Sequence, residues 1–179
     1  DSKDYIAVKE QNGTLHLLNR TGKSRVNIKE SIALSDQAIH AYLKTFTTTD
    51  QAGNLIQIDT RGNVVKSDLG LEKGHSIATT TKSLVTLSSN ILTIKGIPVT
   101  LPYGQYTAPK IFYLNNILYI SVTDKEAEKV YLYLSDGSPV TGFPVYGNSA
   151  IDLVNADKDK ALEFIVQSES KDLLIYEIK

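Results

Sequence analysis

The sequence predicts an all-β chain built from four-stranded antiparallel units of roughly forty residues, the rhythm of β-propeller blades or of a propeller fragment. Three observations carry that prediction. Gly13-Thr-Leu-His-Leu-Leu-Asn-Arg-Thr-Gly22 and Gly53-Asn-Leu-Ile-Gln-Ile-Asp-Thr-Arg-Gly62 are two copies of one hairpin, offset by 40 positions. Looser copies follow at Asn90-Ile-Leu-Thr-Ile-Lys-Gly96 and Val130-Tyr-Leu-Tyr-Leu-Ser-Asp-Gly137, so the turn glycines at 22, 62, 96 and 137 are 40, 34 and 41 apart. Helical periodicity is scarce, whereas apolar runs of strand length recur along the whole chain.

The elements follow in order. Strands are expected near 5–9, 14–19 and 24–28, closed by Gln11-Asn-Gly13 and by Gly22. A long run at 39–48 precedes strands near 54–59 and 63–67, which flank Thr60-Arg-Gly62; Ser35–Lys44 also fits one Ser-capped helical turn. The next unit is read near 76–80, 84–88, 91–95 and 97–101. Asn115-Asn116 then joins 110–114 to 117–123, and Ser135-Asp-Gly137 separates 129–134 from 139–140. Segments near 150–154, 162–167 and 172–178 complete the series. Gly, Asn and Asp supply the positive φ that tight hairpins need, which is why they punctuate these runs. With four strands per blade, the chain opens inside one blade, crosses three whole ones and stops inside another. The whole of 1–179 reads as one repeat-built domain, the C-terminal part of a longer chain. An unclosed ring would leave sheet edges open, so dimerisation or further blades upstream are expected.

Composition removes several function classes. Of 179 residues, 41% are apolar and 22% charged, ordinary for a globular chain. Lys plus Arg number 19 against 20 for Asp plus Glu, which argues against a nucleic-acid partner that demands a basic face. No apolar run has the length of a membrane span. The absence of Cys removes disulfides, zinc–thiolate sites and thiol catalysis. The chain starts Asp1-Ser2-Lys3 with neither an initiator Met nor a basic-then-apolar leader. No nucleophile elbow, P-loop or dinucleotide fingerprint occurs. His16, His40 and His75 lack metal-ligand spacing to one another. Asn12-Gly-Thr14 and Asn19-Arg-Thr21 match the short glycosylation pattern, which has meaning only in a eukaryotic secretory protein.

One stretch rises above generic β structure. Asn155-Ala-Asp157-Lys-Asp159-Lys-Ala161-Leu-Glu163 sets oxygen side chains at loop positions 1, 3, 5 and 9, with the Ala161 carbonyl available at 7. Such alternation folds hard oxygen ligands around Ca²⁺. This stretch resembles the calcium loops of FG-GAP-type, integrin-like propeller repeats of secreted bacterial proteins, whose pattern is D-x-D-x-D-G-x-x-D/E. Asp136-Gly137-Ser-Pro-Val-Thr-Gly142-Phe143-Pro144 resembles their aspartate–glycine turn and the Gly-Phe/Trp-Pro that follows it. Asp4-Tyr-Ile-Ala-Val8 with Asn12-Gly13-Thr-Leu-His-Leu-Leu is similar to their two central strands. The likeness covers most of the chain as a strand rhythm, while the metal pattern occurs once. It departs at Asn155, where Asp is usual, and at Lys160, where Gly is usual. The resemblance implies Ca²⁺ held by Asn155, Asp157, Asp159, Ala161 and Glu163. The competing reading is a solvated acidic hairpin that keeps only the turn. Quinone-binding propellers share the hairpin rhythm too, but a chain without Trp lacks their tryptophan docking.

Seven of the ten tyrosines fall between positions 103 and 146. Tyr131 and Tyr133 sit in a run that reads as buried on both faces. Tyr103 and Tyr106, beside Pro102 and Gly104, fit an exposed ligand-binding loop, and 101–109 and 143–149 are the expected docking loops for a protein or glycan. Taken together, the residues predict a non-catalytic binding or assembly module that is extracellular, at the cell surface or periplasmic. The alternative is an accessory domain of a glycan-active hydrolase or lyase, or such an enzyme itself, because carboxylates distant in sequence can meet in a propeller channel.

Overall fold

The structure, a computed structural model, describes residues 4–157, 159 and 161–178. Among the described residues eighteen strands form five successive antiparallel meanders. Sheet 1 holds β1 (Ile6–Lys9), β2 (Leu15–Leu18) and β3 (Ser24–Val26). Sheet 2 holds β4 (His40–Tyr42), β5 (Thr45–Thr49), β6 (Asn54–Ile58) and β7 (Val64–Asp68). Sheet 3 holds β8 (Ser76–Thr79), β9 (Leu84–Ser88), β10 (Ile91–Ile94) and β11 (Ile97–Thr100). Sheet 4 holds β12 (Lys110–Leu114), β13 (Ile117–Asp124), β14 (Lys129–Leu134) and β15 (Val145–Tyr146). Sheet 5 holds β16 (Asp152–Val154), β17 (Leu162–Gln167) and β18 (Leu173–Ile178). Among the described residues the successive sheets hold three, four, four, four and three strands. Among the described residues no helix is long and apolar enough to cross a membrane.

The chain falls into two compact units. The first runs through His75 and includes Thr79–Ser83; the second takes Ser76–Ala78 and the chain from Leu84 onward. In the first, Leu17 and Val26 of sheet 1 and Leu34 pack with Ile56 and Ile58 of sheet 2, joined by Leu15 and Phe46. In the second, Val85, Leu87, Leu92 and Ile94 of sheet 3 meet Ile120, Val122, Tyr131 and Tyr133 of sheet 4. The opposite face of sheet 4, with Tyr119, Val130 and Leu132, meets Leu153, Leu162, Phe164 and Val166 of sheet 5. Sheet 4 is buried on both faces, so residues 130–134 of β14 read as a continuous apolar run, while β13 buries Ser121 and Thr123 between its apolar residues.

Two expectations about the strands need correction. The run 39–48 is not one strand: Leu43 and Lys44 adopt φ of 47° and 63°, and Tyr42 pairs with Thr45 across that two-residue turn. Neither residue carries a turn signal, so the break was hidden in an apolar run. The helical alternative for Ser35–Lys44 is excluded by β4 and by a bridge between Leu34 and Asp50. The segment 139–140 is not the fourth strand of sheet 4. Pro139 makes only an isolated bridge to Tyr133, and Val145–Tyr146 pairs with Val130 and Lys129 instead. A proline cannot donate to the ladder, which favours the later segment.

Candidate functional site

The acidic loop joins β16 to β17, so Val154 faces Glu163 across the hairpin that carries it. Its backbone is braced by its own side chains. The Ala156 amide donates to Glu163 Oε2 at 2.7 Å, the Asp159 amide to Asp157 Oδ1 at 3.1 Å, and the Ala161 amide to Asp159 Oδ1 at 2.6 Å. Asn155 Nδ2 donates to the Asp159 carbonyl at 2.7 Å. One carboxylate oxygen from each of Asp157, Asp159 and Glu163 lies within 4.8 Å of the others. Oxygens on opposite sides of a Ca²⁺ shell of about 2.4 Å radius are separated by about that distance. Asn155 Oδ1 is buried and accepts no hydrogen bond among the described residues. An orphaned buried acceptor beside three clustered carboxylates is the donor set a hard cation satisfies, so the residues fit Ca²⁺. Lys160, which stands where the resembled pattern has Gly, lies outside the described residues, as does Lys158.

The two tyrosines expected in one exposed loop part company. Tyr103 is 87% exposed. Tyr106 turns inward: its hydroxyl donates to the Pro102 carbonyl at 2.8 Å, and its ring lies 6.2 Å from that of Tyr131, which stacks on Tyr133. Burial, then the charge of Asp124, pushes the Tyr131 hydroxyl up, while burial followed by Tyr131 does the same to Tyr133. The expectation of an exposed Tyr106 is corrected accordingly. The cause is a bridge between Tyr106 and Asp124 that draws the loop onto sheet 4. Gly104 allows that approach, since a Cβ there would sit 2.2 Å from Asp124 Oδ2.

Sequence reasoning missed the buried polar groups. Asp50 Oδ1 accepts the amides of Ala52 and Asn54, and Asn54 Nδ2 donates to both carboxylate oxygens. Lys66 Nζ lies 2.7 Å from Asp50 Oδ2. Asp124 Oδ1 likewise accepts the amides of Glu126 and Ala127. A signal was present, because Asp50-Gln-Ala-Gly53-Asn54 and Asp59-Thr-Arg-Gly62-Asn63 spell the same turn, and Asp59 makes the same bonds to its own loop. His75 is buried; its Nδ1 bonds the Glu72 carbonyl and its Nε2 the Thr49 hydroxyl, each at 2.8 Å. Thr49 in turn lies 2.7 Å from the Ser35 hydroxyl. His16 sits apart, 2.6 Å from Glu10, and burial lowers the pKa of His40.

Burial alone raises the Asp50 carboxyl, but its hydrogen bonds to Lys66 and Asn54 and the Lys66 charge outweigh that and hold it at about 2. A folded-state pKa below the ordinary carboxylate value contributes stability that is complete above about pH 4 and lost as pH falls toward 2. The difference is worth roughly 2 kcal/mol. Asp50→Asn is expected to lower stability by about that amount at neutral pH and to flatten the acid limb between pH 4 and 2, read by urea denaturation at each pH.

No family model matches the sequence, and no curated protein matches it. Among solved structures, the chain is similar to BamB from Moraxella catarrhalis, a β-propeller protein, at a TM-score of 0.56 and 16% identity. That superposition covers 98% of this chain and 56% of BamB, so the chain spans little more than half the length of its structural neighbour. A protein of unknown function from Bacteroides caccae aligns over 97% of this chain and 74% of its own length, at a TM-score of 0.49 and 11% identity. The likeness to BamB is one of fold: consecutive four-stranded antiparallel sheets of the propeller-blade kind.

Proposed function

We propose that this chain is a non-catalytic binding and assembly module of the β-propeller kind, belonging to a secreted or envelope-associated protein and steadied by Ca²⁺ in the 155–163 loop. The observation that carries the non-catalytic reading is the use made of the buried titratable side chains. Asp50, His75 and Asp124 are the ionisable side chains buried among the described residues, apart from tyrosines. Each is engaged with its own turn or with a neighbouring hydroxyl. Catalytic carboxylates face one another or a substrate, whereas these two face backbone amides. The FG-GAP-type resemblance and the BamB-like fold both support a presenting surface, outside the cell, at its surface or in the periplasm.

The ligand is a protein or glycan, captured through the 101–109 loop with Tyr103 as its exposed aromatic platform. Tyr103→Ala is expected to weaken capture on a glycan or peptide array at least several-fold while leaving the melting temperature unchanged. Tyr106→Ala, by contrast, removes packing on Tyr131 and lowers stability. Turnover of a glycan or peptide by the intact chain, abolished by one carboxylate substitution, would overturn the non-catalytic reading.

A further inference from the structure

The charges of the first unit are sorted by end. Its sheets are meanders, so successive turns alternate between the two ends of each sheet. The β1–β2 turn packs its Gly13 on Leu34, which bridges to Asp50 of the β5–β6 turn, so those two turns share one end. The β2–β3 and β6–β7 turns share the other, where the Lys29 amide donates to the Gly62 carbonyl at 3.2 Å. The β4–β5 turn lies at this second end as well, and the Leu43 amide ties it to the Thr81 carbonyl of the β8–β9 turn at 3.0 Å.

Every turn at the second end carries an exposed cation: Arg20 and Lys23 on β2–β3, Lys44 on β4–β5, Arg61 on β6–β7 and Lys82 on β8–β9. Between positions 11 and 29 the chain has four Lys and Arg residues and no carboxylate. The carboxylates near these turns are largely engaged. Asp59 accepts the amides of Arg61 and Asn63, and Asp4 lies 2.7 Å from Arg20; Glu30 follows Lys29, whose Nζ donates to Asn63. Lys23 and Arg61 make no ion pair among the described residues. The opposite end holds Glu10, Asp50 and Glu72, with Lys66 paired to Asp50. A chain of net charge -1 thus presents a basic end, because its turns segregate the charges.

One apolar side chain stands among these cations. Leu43 is 55% exposed at the tip of the β4–β5 turn, in a left-handed conformation that its branched side chain disfavours. The fold does not demand leucine there. The corresponding β12–β13 turn of sheet 4 has the same two-residue geometry and uses Asn115 and Asn116, residues that tolerate positive φ. A strained, exposed leucine beside a lysine and ringed by further cations has the chemistry of a membrane interface, where apolar insertion and attraction to anionic headgroups add.

We propose that this end of the first unit docks on an anionic lipid surface, with the five cations among the lipid phosphates and Leu43 inserted beneath the headgroups. The calcium loop and Tyr103 belong to the second unit and take no part in it.

The test is co-sedimentation of the intact chain, in chelator, with vesicles of equal parts phosphatidylglycerol and phosphatidylcholine. The parent is expected to bind these vesicles, to release them at high salt and to ignore pure phosphatidylcholine. Lys23→Gln/Arg61→Gln should weaken binding by about 30-fold, since each cation near a charged membrane contributes about one salt-sensitive contact's worth. Lys73→Gln, on the loop at the opposite end, should leave it unchanged. Leu43→Asn should weaken binding on the order of 10-fold while the melting temperature stays level or rises, because asparagine suits the turn. A parent that does not bind the anionic vesicles overturns the proposal, as does a Lys73→Gln loss equal to that of the double variant. Unchanged vesicle binding by Leu43→Asn overturns it too, leaving a site for soluble polyanions instead of a membrane.

Discussion

Gly53→Ala is expected to destabilise the first unit by about 3 kcal/mol or more. Gly53 closes the β5–β6 turn at φ +83°, a conformation costly for any residue with a Cβ. The larger effect is steric. A Cβ at this position would fall 2.0 Å from the Leu71 carbonyl oxygen and 2.9 Å from its carbon. The obstacle is backbone, so relief requires moving the 69–72 segment away from the turn. Gly22 provides the internal control, at φ +76° with nothing within 4 Å. Gly22→Ala carries only the backbone term, about 1 kcal/mol. Chemical denaturation of the two variants side by side separates conformational strain from collision, and equal losses would refute the steric account.

Phe164→Ala is expected to cost about 3–5 kcal/mol and to loosen sheet 5 from sheet 4. Phe164 is 1% exposed at the centre of the last core; it stacks on Tyr176 at 4.9 Å and meets Phe143 at 5.3 Å. Truncation leaves a cavity walled by rigid rings and β-branched residues, which collapse poorly. Its neighbour Ile165 points to the opposite face, so Ile165→Ala should stay below about 1 kcal/mol. Hydrogen exchange should show the 162–178 amides losing protection first in Phe164→Ala. If Ile165→Ala proves equally damaging, the assignment of inner and outer faces is wrong.

The repeat was legible because it is written twice in nearly the same letters. Gly13 and Gly53 mark the same turn, as do Gly22 and Gly62, and the unit boundaries followed from them. What failed was local. The β4–β5 turn uses Leu43 and Lys44, whose side chains give no hint of positive φ, and β15 could not be told from 139–140 without knowing which segment reaches β14. Period-two reasoning shows which residues share a face but not which face is covered. Tyr131 and Tyr133 were correctly read as buried because their run is apolar on both sides. Tyr106 could not be read, because its inward turn depends on Asp124, eighteen positions away. The acidic loop was fully visible as a spacing of oxygens. The buried orphan oxygen of Asn155 was not, since burial of one atom is a tertiary property.

That orphan oxygen makes calcium the most direct test of the proposed module. A ligand bound only by the folded state raises stability by mass action, by about 2.7 kcal/mol at one hundred times its dissociation constant, or roughly 5–10 °C for a chain of this length. Thermal unfolding of the intact chain should therefore shift upward by that amount between chelator and millimolar Ca²⁺. In the Asp157→Asn/Asp159→Asn double variant the shift should vanish, with the chelator value little changed. Identical melting temperatures of the unsubstituted chain in calcium and in chelator would contradict the account and leave the loop an acidic turn without an ion.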